Sequence, residues 1–137
     1  MDKREYLNQL RELDKRIKAM RKRIEDYRQL ADSPKAISYG GVRVASSKNT
    51  SAPFERFVFA IIDLEEKANA LQEKKEQIQL TIITAIEMLD REELKNLITL
   101  RYIEGLTWEQ IGDTLGIVER TARRWHRQAL EQLNLPI

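Results

Sequence analysis

The stretch Leu106–Leu133, LTWEQIGDTLGIVERTARRWHRQALEQL, decides the fold of the C-terminal third of the chain. It opens with a sharp helix-start signal. Thr107 stands as N-cap and Gln110 as its reciprocal partner at N3, with Leu106 and Ile111 placed as a hydrophobic staple across the start. Nine residues beyond Thr107, Gly116 supplies a position where a left-handed backbone costs least, so the helix ends there. A second helix is expected from about Val118 to Leu133. On it Ala122, Trp125, Ala129 and Leu133 share the inward face, and Arg120, Arg124 and Arg127 share the opposite one. Arg123 falls on one flank of that outer face, and Thr121 and Gln128 on the other.

The spacing of Gly112, Gly116, Ile117, Ala122 and Trp125 is the one a helix-turn-helix needs. A small Gly112 permits a close approach, Gly116 makes the turn, and Ile117, Ala122 and Trp125 seat the second helix on the core. The outer face of that helix is then free to enter a DNA major groove, N-terminal residues towards base edges. Upstream, Asp90 and Glu93 form a capping-box-like pair at the start of another helix. Leu94, Leu97, Ile98, Tyr102 and Ile103 make its apolar face, and Gly105 ends it.

The rest of the chain reads as two long helices. Tyr6, Leu10, Leu13, Ile17, Met20, Ile24, Tyr27 and Ala31 keep an alternating four–three spacing among mostly charged and amide residues. That gives a narrow apolar stripe suited to coiled-coil packing, on a helix about 45 Å long. Residues 32–52 (DSPKAISYGGVRVASSKNTSA) change character. They predict a long flexible loop, in which Ile37, Tyr39, Val42 and Val44 around Gly40–Gly41 allow a short hairpin. Pro53 suits the first turn of a new helix. Its stripe is Phe54, Phe57, Ile61, Leu64, Ala68, Leu71, Lys75, Ile78, Ile82, Ala85 and Leu89, widened at the ends by Val58, Ile62, Ile83 and Ile86. Lys75 is its one polar member, read as a register or partner-choice device. Joined by the loop, the two helices should fold back as an antiparallel hairpin.

The expected architecture is therefore all-α: a long, coiled-coil-like antiparallel helical hairpin over 1–89, for assembly or partner binding, then a three-helix DNA-binding unit over 90–137. A narrow seam buries little surface, so self-association, a dimer first, is expected.

Composition narrows the function classes. The chain has 137 residues, of which 34% are charged and 7% aromatic, with no Cys and one His, His126. Disulfides, thiolate metal sites and His-cluster metal sites are excluded, and no cofactor is called for. Neither a Gly-rich phosphate loop nor a nucleophile–His–acid set is present, so an enzyme is the least favoured class. No 18-residue apolar run and no signal-peptide core occur, which predicts a cytoplasmic protein without a membrane span. Net charge is +2 overall, but residues 1–31 carry ten Lys/Arg against six Asp/Glu and residues 90–137 carry seven against eight. A DNA-binding unit with that balance has to concentrate its cations on one surface, and the arginine face of the last helix does so. The basic run Arg16–Arg23 reads first as a solvated helix face. A second contact to DNA or to an acidic polymerase surface is its sharper alternative.

The run from Leu89 to Leu133 resembles region 4 of bacterial sigma factors, with its Leu-Arg-Tyr, Glu-Gly-Leu-Thr, Ile-Gly and closing Ala-Leu elements. The whole arrangement resembles small ArpU-like or sigma-like transcriptional regulators of phages and prophages of Gram-positive bacteria. Carried over residue by residue, the first resemblance implies base reading by Arg120, Thr121 and Arg124, and phosphate contacts by Thr107, Arg123 and Arg127. Gln128 on the flank joins this set. Arg meets guanine O6 and N7 bidentately, a contact worth about 1–3 kcal/mol of discrimination. Val118 departs from the pattern, standing where such proteins carry a Ser or Thr N-cap, a loss of about 1 kcal/mol. Glu119 compensates in part through the helix dipole, and would repel phosphate or accept from a cytosine amino group. Nothing resembles the sigma region that melts promoters, which argues against a complete stand-alone sigma factor.

The favoured function is thus a sequence-specific, double-stranded-DNA-binding transcriptional regulator. The alternatives are a sigma-like factor acting mainly through RNA polymerase, and a DNA-packaging or architectural protein such as a small terminase subunit. Trp125 is expected as a core anchor, Trp108 as either half-buried packing or a graze on the DNA backbone, and His126 as a boundary residue near phosphate.

Overall fold

A computed structural model describes residues 1–32 and 52–137, the side chains of 52 and 53 excepted. The 32–52 loop and its hairpin option lie, apart from their ends, outside the described residues. Those described form helices joined by short turns, with no strand among them. In chain order these are α1 (Lys3–Ala31), α2 (Ala52–Glu87), α3 (Glu92–Ile98), a π-helical turn (Thr99–Ile103) that continues α3, α4 (Trp108–Leu115) and α5 (Glu119–Gln132). None is long and apolar enough to cross a membrane.

Two compact units divide the chain, Met1–Asp14 with Lys74–Ile137, and Lys15–Glu73. In the first, the start of α1 and the end of α2 pack with the three C-terminal helices around one core. Leu7, Leu10, Ile82, Ala85, Ile86, Leu89, Leu94, Ile98, Tyr102, Ala129, Leu133 and Leu135 are its buried members. Leu7 is fully buried although it stands outside the four–three stripe, because its neighbours at this end include α3 and α5 as well as α2. Lys75, the polar member of the second stripe, places its ammonium 3.0 Å from the Asp14 carboxylate. The Lys3 ammonium donates to the Leu130 carbonyl at 2.7 Å, tying the beginning of α1 to the last turn of α5. Bringing residue 14 beside 75, and 7 and 10 among 82–86, makes the two long helices antiparallel in this unit.

In the second unit the stripes meet, except that Phe54, the first member of the second stripe, is exposed. Ile17, Ile24, Ala31, Leu64 and Ala68 are buried, the Tyr27 and Phe57 rings meet at a tilt with centroids 6.1 Å apart, and Arg28 pairs with Glu65. The apolar residues that widen the second stripe do not share one fate. Ile86 is buried, whereas Ile62 and Ile83 are exposed, as are Phe54, Phe59 and Leu80 on the same helix and Met88 just past its end.

The start of α3 corrects the capping-box reading. Arg91, not Asp90, is the N-cap, and no side chain caps it. Glu93 instead receives the Arg91 guanidinium at 3.2 Å, and the Asp90 amide donates weakly to Gln132 at 3.4 Å. At the other end the π turn widens the last bonds of the helix. The Leu106 amide reaches back to the Leu100 carbonyl at 2.9 Å, carrying the chain into the turn before α4.

Candidate nucleic-acid interface

The helix-turn-helix is built as its sequence specifies. Thr107 accepts from the Gln110 amide at 3.2 Å while the Gln110 side chain accepts from the Thr107 amide at 2.9 Å, a complete capping box. Gly116 closes α4 in the left-handed region, with φ 67°. Gly112 is required by a close contact, though with the turn rather than with a neighbouring helix. A Cβ there would sit 2.8 Å from the Ile117 carbonyl oxygen, closer than any side chain tolerates. The Ile117 amide in turn donates to the Gly112 carbonyl at 3.0 Å. Leu97, Ile111 and Ala122 are buried at the centre of this unit, with Leu100, Leu106, Trp108, Leu115, Ile117 and Trp125 packed around them. Val118 is the extended N-cap of α5 and offers no side-chain bond.

This frame fixes which face of α5 is outside. Arg120, Arg124 and Arg127 are exposed, and no ion pair or hydrogen bond among the described residues occupies them. Arg123 is also exposed but already committed. Its Nε and Nη2 donate to Glu119 Oε1 at 3.1 and 2.8 Å, and its guanidinium lies 5.3 Å from the Trp108 ring centroid. Glu119 therefore holds Arg123 in place as well as facing the helix dipole. Thr121 and Gln128 are half-buried on the other flank, where Gln128 accepts from Arg91 at 3.4 Å. Thr107 sits at the start of α4, its side chain engaged in the cap.

His126 is the main correction to the site. It is buried, only 5% exposed, and its Nε2 lies 2.6 Å from the Tyr102 hydroxyl. Trp108 meets it edge-on at 4.9 Å between centroids. Burial first, and then repulsion from Arg4, Arg101 and Arg123, pushes its pKa down to about 4. It is therefore neutral at physiological pH and belongs to the core beneath the interface. The helical wheel puts it beside the inward arc, and only Tyr102, 24 residues away, supplies the partner that permits full burial.

Trp108 is half-buried, with the Arg101 guanidinium 4.6 Å from its ring. Arg101, missed as a candidate because its Leu-Arg-Tyr setting served only as a motif, also donates to the Leu106 carbonyl at 3.0 Å and so anchors the turn before α4. Burial lowers its pKa, and Arg11, Arg123 and Arg4 push the same way. Burial likewise raises the Tyr102 phenol, which stays protonated. Trp125 packs into both core clusters, with Arg91 lying 5.7 Å from its ring.

Residues 85–134 match the family model described as Sigma-70, region 4. The match runs from the end of α2 through α5 and takes in every element of the site just described. This segment is a DNA-binding helix-turn-helix of the sigma region 4 kind. Comparison with curated proteins and with solved structures gives no match.

Proposed function

We propose that the protein is a sequence-specific DNA-binding regulator of transcription, of phage or prophage type, that reads the major groove with α5. The observation that carries this reading is the face of Arg120, Arg124 and Arg127. Three exposed guanidiniums, unoccupied among the described residues, stand on a helix whose orientation Gly112, Gly116 and Ala122 fix. Arg120, Thr121 and Arg124 lie in the first half of the helix and take the base edges, with Glu119 and Gln128 flanking. Arg123, Arg127 and Thr107 take the phosphates.

The exposed apolar residues of α2, Phe59, Ile62, Leu80 and Ile83, with Met88 just past its end, support self-association through residues 1–89. A two-fold dimer would read half-sites about 34 Å apart, or a multiple of that spacing. Selection of bound duplexes from a random pool, followed by footprinting, tests both parts. The expected outcome is a palindromic consensus whose preference relaxes when Arg120 and Arg124 are both changed to Ala. Unchanged operator affinity in that double variant would refute the assigned face.

The match to sigma region 4 also favours a second reading, in which the same unit docks on RNA polymerase. Co-purification with core polymerase in the absence of DNA would favour it over operator reading.

A further inference from the structure

A cavity of about 280 Å³ opens between the first turns of α1 and the helix-turn-helix. Arg4 and Asn8 line it from α1, Arg101 and Tyr102 from the π turn, Trp108 from α4, and Arg123, His126 and Arg127 from α5. We propose that this cavity is a phosphate-binding site, which Arg4 and Asn8 complete from outside the segment that carries the family match.

Its chemistry is one-sided. Four guanidiniums and an amide face one space, and no carboxylate is among the lining residues. Glu119 reaches only as far as Arg123. Two of the arginines are held at the Trp108 ring, so their positions are set before any ligand arrives. Like charges gathered around a partly enclosed space repel one another, and an anion that accepts from several of them relieves that repulsion. Phosphate fits the donor geometry, because guanidinium forks pair with it bidentately, and the volume leaves room for bridging water.

The ligand's source follows from continuity. Arg127 belongs both to the cavity and to the outer face of α5, so a duplex lying on Arg120 and Arg124 brings its own backbone to the opening. Assigning the phosphate to DNA rests on the proposed function; the anion site itself does not. A free phosphorylated small molecule carries the same group, and the test separates the two.

The full-length chain and its Arg4→Ala, Arg4→Lys and charge-matched Lys67→Ala variants would be titrated with selected and scrambled duplexes over a range of salt. Arg4 is exposed, so its removal leaves the core intact. With a backbone phosphate in the site, Arg4→Ala weakens both duplexes by a similar factor and lowers the slope of log K against log salt by about 0.9. Arg4→Lys restores the slope, and Lys67→Ala leaves it unchanged. In a second arm, melting temperatures without DNA are compared in inorganic pyrophosphate and in sodium chloride of equal ionic strength. Protection by pyrophosphate that Arg4→Ala abolishes, with an unchanged DNA slope, assigns the site to a free phosphorylated ligand. A chain that binds no duplex removes the proposed function and leaves the pyrophosphate arm to decide the site. Arg4→Ala indistinguishable from wild type in both arms overturns the proposal.

Discussion

The turn between α4 and α5 and the seam between α1 and α2 are specified in opposite ways. In the turn, each backbone constraint rests on one residue: Thr107 for the cap, Gly116 for the left-handed backbone, Gly112 for the approach to the Ile117 carbonyl. In the seam, apolar residues recur every three or four positions, so the same instruction is repeated many times. Point constraints fix a geometry closely and fail singly, whereas a repeated stripe tolerates small changes. A reading head needs the first property, since a shift of its helix misplaces every side chain it presents. A scaffold can rely on the second.

The comparison can be broken by measurement. Its largest expected effect comes from acid. His126 has a folded pKa of about 4 against an ordinary value of 6.5, so its neutral form stabilises the fold fully above pH 6.5. That contribution is lost as pH falls towards 4, about 3 kcal/mol in all. Arg4, Arg101 and Arg123 oppose its protonation, and Tyr102 and Trp108 pack against it. Chemical denaturation of wild type and His126→Gln between pH 7 and 4 should differ by a slope of this sign, and parallel curves would remove His126 from the account. Next, Gly112→Ala forces a methyl against a backbone carbonyl and should cost about 2 kcal/mol. Ile17→Val deletes one methyl from the seam and should cost about 1 kcal/mol. If the seam variant loses more than the turn variant, the contrast fails.

Smaller effects sharpen it. Thr107→Ala, which removes one side of the capping box, should lower stability by about 1 kcal/mol. Val118→Thr should raise it by about 0.5–1 kcal/mol, because α5 has no side-chain cap of its own. A thermal melt of each variant checks the sign.

The same contrast explains what was legible in the sequence. The cap at Thr107, the stop at Gly116 and the inward placing of Ala122, Ala129 and Leu133 depend on residues within a few positions of one another, and local chemistry suffices. Leu7, His126 and the pair Arg4 and Asn8 depend on partners brought from far along the chain. Leu7 is buried because three other helices converge on the start of α1, and periodicity along one helix contains no sign of that. His126 is buried because Tyr102 meets it. For Arg4 and Asn8 the sole trace was the cationic surplus of residues 1–31, which does not say which cations gather where. At Arg91 the local rule misled, since a capping-box pattern at Asp90 and Glu93 lost to an ion pair one residue away.

The burial of Leu7 and Leu10 with Ile82, Ile86 and Leu133 bears on how the protein is handled. A DNA-binding fragment cut at residue 90, where the motif suggests a boundary, would leave behind half the wall of its own core. It would expose Leu94, Ile98 and Leu133 to water and lose the clamp from Lys3 to the end of α5. Such a fragment should aggregate or melt early. The smallest piece worth expressing as a reading head joins residues 1–14 to 74–137.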